Sequence, residues 1–114
     1  MQDRVLSLLG LAEKAGKVGS GGFAAEEALK KHRASLLILS EDAQKNTQKN
    51  FTDMCTWQKV PLRYYGTREV LGHAVGKESR SCIAVTDAGF AESILKLLDS
   101  GKQERGCNGK NENQ

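Results

Sequence analysis

Apolar and polar positions along this chain follow two different periods, and the switches between them mark out its elements. Val5, Leu8, Leu9, Ala12 and Ala15 recur at helical spacing behind Asp3, a capping residue, and ahead of Gly16, a stop, so the spacing predicts an amphipathic first helix. In the glycine-dense passage that follows, Gly16 to Gly22, Val18 supports only a very short strand. Ala25, Ala28, Leu29 and His32 then mark one face of a second helix whose other face carries Glu26, Lys30, Lys31 and Arg33. The unbroken apolar run Leu36–Leu39 reads as a strand buried on both faces and central in a sheet. Asp42 is placed to cap a third helix with Ala43, Thr47, Phe51, Met54 and Cys55 inward. Val60 to Tyr65 alternates as a strand that Pro61 assigns to an edge or to a strand start. Gly66 and Thr67 open a short fourth helix with Val70, Leu71 and Ala74 inward, followed by the loop Gly76 to Arg80 and a second apolar strand, Cys82–Val85. A last helix from Asp87 turns Phe90, Ile94, Leu97 and Leu98 to one side.

Strands alternating with helices predict an α/β fold, a three-layer α/β/α sandwich around a small mixed sheet of about four strands. The apolar pattern stops after Asp99. One domain over 1–99 is expected, with a disordered polar tail from Ser100 to Gln114 whose composition buries too little to offset its ordering.

A chain of 114 residues has no room for separate cofactor and substrate domains, and 39% hydrophobic with 27% charged residues is the composition of a soluble protein. No run approaches the roughly 18 apolar residues of a membrane span, and Met1 to Arg4 does not resemble a secretory signal, so a cytoplasmic protein with no membrane partner is expected. The net charge of +3 permits a polyanionic partner only if the cations cluster. Cys55, Cys82 and Cys107 are odd in number and form no Cys-x-x-Cys, which points to reduced thiols and to no metal site.

Gly19-Ser20-Gly21-Gly22-Phe23-Ala24 matches G-x-G-x-x-A at a helix start, with Glu41 and Asp42 about twenty residues on, where a dinucleotide fold places its ribose carboxylate. That fingerprint needs a buried strand before the first glycine, and Glu13 to Val18 is too polar to supply it. The glycines fit either a permissive turn capped by Ser20 or Gly21, or a bare helix start that exposes N–H groups to a phosphate or base edge. Asp42 and Asp87 follow apolar strands and read as helix caps; His32 and His73 read as structural, as do most of Phe51, Trp57, Tyr64 and Tyr65. The loop from Gly76 to Arg80 sets two cations among small residues beside a central strand. No catalytic triad, paired-metal spacing or phosphate-loop lysine is present, so no enzyme and no cofactor is expected.

Four segments in order carry a resemblance: the glycine turn, Arg33 to Ala43, Val60-Pro61-Leu62, and Val70 to Lys77. Together they resemble the kink-turn RNA-binding ribosomal protein superfamily, which includes large-subunit proteins seven-Ae and thirty-e, and most of all its small bacterial YlxQ-type members, over roughly residues 3 to 98. The resemblance implies the α/β/α fold and a non-catalytic, ribosome-associated or otherwise structured RNA partner, with no DNA expected. It also implies a Gly-x-Asn-Glu-x-x-Lys stretch at the start of the second helix that reads sheared G·A pairs, and a loop before the last strand that covers an extruded base. On this chain the glycine falls on Gly21, the next position on Gly22, the Asn on Phe23, the Glu on Ala24 and the Lys on Glu27, so three polar contacts of the pattern are absent. The RNA-facing residues that remain are Lys17, Gly21, Gly22, Phe23 as a stacking surface, and Lys77, Glu78, Ser79 and Arg80 of the loop. A protein-interaction module of the same fold and a small nucleotide-binding enzyme are the alternative readings.

Overall fold

The computed structural model describes residues 3–106, and side chains over 3–100. Its elements run α1 (Arg4–Lys14), β1 (Val18–Ser20), α2 (Gly22–Lys30), β2 (Leu36–Leu39), α3 (Lys45–Gln58), β3 (Leu62–Tyr64), α4 (Arg68–Ala74), β4 (Cys82–Val85) and α5 (Ala88–Gly106). The strands form one mixed sheet in the order β1-β4-β2-β3. β4 is antiparallel to both of its neighbours, and β2 runs parallel to β3. As the apolar runs predict, β4 and β2 are central and every one of their residues is buried, whereas β3, entered from Pro61, is an edge.

Alternation along the two central strands divides the core. Leu36, Ile38, Ile83 and Val85 face Val5 and Leu9 of α1, Leu71 of α4 and Ala91 and Ile94 of α5. Leu37, Leu39, Cys82 and Ala84 face Ala25, Ala28 and Leu29 of α2 and Phe51 and Cys55 of α3. Helices on both faces make the three-layer α/β/α sandwich. β1 and β2 are separated by β4, so the adjacent parallel strands of a dinucleotide-binding unit are not formed.

Most helix ends follow their sequence signals. Asp3 Oδ1 accepts from the Leu6 N–H at 3.1 Å, Thr67 Oγ1 from Val70 at 3.2 Å, and Asp87 Oδ2 from Phe90 at 2.9 Å. At the close of α1 the Gly16 N–H donates to Glu13 O and the Lys17 N–H to Ala12 O, the paired bonds that terminate a helix.

Five local expectations are corrected. Asp42 does not cap α3, which starts at Lys45 behind Gln44 with no side-chain cap; its Oδ1 accepts instead from the Arg68 N–H at 3.0 Å, at the start of α4. His32 lies past the end of α2 with φ 58° and is exposed, because the chain reverses there and takes it off the inner face. Val70 is partly exposed, the short α4 turning only Leu71 and Gly72 fully inward. Trp57 is 84% exposed, since it stands two residues beyond buried Cys55, on the opposite side of the helix. Tyr64 is exposed at the sheet edge and its hydroxyl donates to Gln48 Oε1 at 3.3 Å. The backbone of α5 runs past Asp99 to Gly106, and residues 107–114 of the expected polar tail lie outside the described residues. Among the described residues no helix is long and apolar enough to cross a membrane.

Candidate nucleic-acid interface

The register of the sheet gathers several segments at one end. Leu39 lies opposite Cys82 and Ser20 opposite Ile83, so the finish of β1, the finish of β2 and the entry to β4 meet there. The Gly21 N–H donates to Cys82 O at 2.8 Å, Ser40 N–H to Ser81 O at 2.9 Å, Glu41 N–H to Gly66 O at 2.7 Å, and Arg80 N–H to Arg68 O at 2.9 Å. These four bonds fix the glycine turn, the segment after β2, the start of α4 and the end of the 76–80 loop as one backbone frame.

Within that frame Gly21 has φ 94°, a conformation costly for any residue with a Cβ, and it is the residue from which α2 springs. A Cβ at Gly21 would stand 3.5 Å from Cδ and Nε of Arg80, so the arginine stem lies directly against the turn. The Arg80 guanidinium donates from Nη1 to Ser79 O at 2.7 Å and, among the described residues, has no carboxylate within ion-pair distance. Phe23, on the first turn of α2, is 81% exposed. Its ring, Gly21, Gly22, Ser79, Arg80 and Arg68 border one open depression of about 520 Å³.

The start of α2 has no acidic residue in its first turn and no side-chain cap, so its N–H groups are left to solvent or a ligand. Farther along, Glu26 pairs with Lys30 at 3.3 Å and Glu27 with Lys31 at 3.1 Å. Glu27, at the position where the resembled pattern carries lysine, is thereby matched by Lys31 at the end of the same helix. Arg68 is tied to Asp42, Nε to Oδ2 at 3.5 Å. Desolvation pushes the Asp42 carboxyl upward, but the nearby Ser40 hydroxyl, the Arg68 and Asp42 N–H groups and the Arg68 guanidinium outweigh it and hold the carboxyl below its ordinary range.

Of the residues singled out in the sequence, Gly21, Gly22, Phe23, Ser79 and Arg80 share this depression. Lys77 and Glu78 do not: they line a separate hollow of about 640 Å³ with Leu6, Val70 and His73, across α4. Lys17 stands at the opposite end of β1, where its carbonyl accepts from the Thr86 N–H at 2.8 Å. The structure adds Arg68 and Gly72 to this end of the sheet. A cation directly after a Thr cap, where helix polarity disfavours it, was a signal for the first. The second had none, because its role is a contact: a Cβ on Gly72 would lie 2.5 Å from Ser79 Cα and 2.6 Å from Ser79 N, so only glycine lets the loop close on α4.

Burial pushes the Cys55 thiol up to about 11, and burial likewise takes Cys82 to about 11 against the smaller opposing effects of Ser81 and Arg80. No group of three His, Cys, Asp or Glu side chains among the described residues is placed to hold a metal ion.

A three-layer α/β/α protein with a cationic, glycine-rich edge at one end of its sheet is the class that this geometry defines. The sequence model of the ribosomal protein L7Ae/L30e/S12e/Gadd45 family matches residues 3–95, and the chain belongs to that family. It is similar to the RNA-binding protein YlxQ of Bacillus subtilis, 48% identical over 92 residues that cover 81% of this chain and 92% of that protein. The RNA-binding protein YlxQ of Enterococcus faecium is 26% identical over 98 residues, covering 86% of this chain and 94% of that one. Among solved structures, a protein of unknown function from Bacillus halodurans superposes with a TM-score of 0.83 at 38% identity, covering 86% of this chain and 99% of that one. A Giardia lamblia 15.5 kD RNA-binding protein shares the fold, with a TM-score of 0.73 at 16% identity over 88% of this chain and 92% of its own.

Proposed function

We propose that this chain is a non-catalytic, cytoplasmic RNA-binding protein that holds a structured RNA, ribosomal or otherwise kinked, against the sheet end bearing Gly21–Phe23, Arg68, Ser79 and Arg80. The observation that carries this reading is the placement of Arg80 against Gly21, a cation without a carboxylate partner among the described residues beside a bare helix start and an exposed ring. A phosphate there gains a charge-assisted hydrogen bond from the guanidinium and the positive pole of α2. Family membership and relatives named for RNA binding support the same partner. Lys77 and Glu78 lie beyond α4, where an RNA extending from the depression would reach them.

The test is a gel shift of the full chain against a kink-turn RNA and an unkinked duplex at two salt concentrations. The proposal expects preference for the kinked RNA and affinity that falls steeply with salt. Absence of binding even at low salt overturns it and favours a protein-interaction module of the same fold.

A further inference from the structure

Resting on that reading, we propose that the site selects its RNA by stacking one unpaired base on Phe23 while Arg80 and Arg68 hold the adjoining phosphates, so that it discriminates by strand pairing more than by base sequence. Phe23 is 81% exposed on the first turn of α2, whereas Phe51 is buried in the core. An isolated exposed ring loses free energy to water without stabilising the fold, and it is here set at the rim of a depression whose other wall is cationic. An apolar face beside guanidinium groups matches a nucleotide, which pairs a π surface with an anion.

The neighbours of Phe23 offer little for reading base edges. Gly22 and Ala24 have no polar side-chain atoms, and Glu27 is matched with Lys31. Hydrogen-bond donors at the rim are the uncapped N–H groups at the start of α2, Arg68, Arg80 and serine hydroxyls, a set suited to phosphate oxygens, and the guanidinium of Arg68 is already oriented by Asp42. Every base has a stackable face, so this constellation tolerates sequence; a base locked in a duplex cannot offer that face, so the constellation rejects pairing.

The experiment uses the full chain and two RNAs identical except that one 2-aminopurine is unpaired in the first and paired in the second. Binding is read by electrophoretic shift and stacking by quenching of the 2-aminopurine. Wild type is expected to bind the unpaired form more tightly and to quench it. Phe23→Ala should weaken that form by roughly tenfold to a hundredfold and abolish the quenching, while its affinity for the paired form stays unchanged and Phe23→Trp restores both signals. If Phe23→Ala binds and quenches like wild type while Arg80→Gln binds more weakly, the stacking proposal falls and the RNA interface stands. If Phe23→Ala weakens both RNAs equally, selection by pairing falls. If neither RNA binds to wild type, the proposed function falls with it.

Discussion

At the end of the sheet where α1 and α2 finish, Lys14 and Lys30 occupy last helical turns, and Lys17 and Arg33 each follow three residues later. At the opposite end Arg68 and Arg80 stand at the beginnings of α4 and α2. Helix polarity makes these opposite situations, because a cation near a helix C-terminus stabilises the fold by about 0.3–1 kcal/mol and one near an N-terminus is disfavoured by a similar amount. The first group is therefore accounted for by folding alone. Arg68 is offset by Asp42, whereas Arg80 has no such offset among the described residues, and the proposed RNA phosphate would supply one from outside. Counting cations would have ranked the two ends the other way.

The largest effect should come from closing the frame wrongly. Gly72→Val puts side-chain atoms where Ser79 backbone already lies, so a loss of about 1–3 kcal/mol in chemical unfolding is expected together with loss of RNA binding. Preserved stability and binding would show that the loop is not held by this contact.

Arg80→Gln separates function from folding. It should weaken RNA binding roughly tenfold while leaving stability unchanged or raised by a few tenths of a kcal/mol. Lys17→Gln should leave RNA affinity unaltered, and Lys14→Gln should cost a little stability and no affinity.

Asp42→Asn tests how Arg68 is presented. The folded carboxyl titrates below its ordinary value of 3.8, so its contribution is present above that value and disappears as pH falls through the folded pKa. The stability difference between wild type and variant should therefore be constant at neutral pH and vanish in acid; a difference that persists in acid would assign the effect to packing.

The smallest effect concerns the buried thiols. Both are pushed up to about 11, so the fold loses their contribution as pH rises from 9 towards 11, and Cys55 and Cys82 should resist alkylation at pH 8 until the chain unfolds. Rapid labelling of either residue in the native state would contradict their placement on the α2 and α3 side of the sheet.

Much of this architecture was legible in the sequence, for reasons of chemistry at short range. Four unbroken apolar residues at Leu36–Leu39 and again at Cys82–Val85 have no solvated face, so they had to be central. Helix starts at Asp3, Thr67 and Asp87 follow from side chains that bond their own N–H groups. The site was half legible. Gly21 and Phe23 are neighbours in the chain and moved together, whereas Lys17, only four positions earlier, is carried to the far end by the length of β1. The loop is one unit in the sequence, yet Lys77 and Glu78 line the hollow with Leu6, Val70 and His73 while Ser79 and Arg80 return to the glycine turn. Asp42 bonds Arg68 across 26 positions, a contact that no local pattern encodes.

The two ends can be weighed directly by the salt dependence of RNA affinity in two double variants, Arg68→Gln with Arg80→Gln and Lys17→Gln with Arg33→Gln, which remove equal charge. The first pair is expected to lower affinity and to flatten the slope of log affinity against log salt by roughly one to two units, while the second leaves both as in wild type. Equal losses from the two variants, or a larger loss from the Lys17 and Arg33 pair, would contradict that expectation.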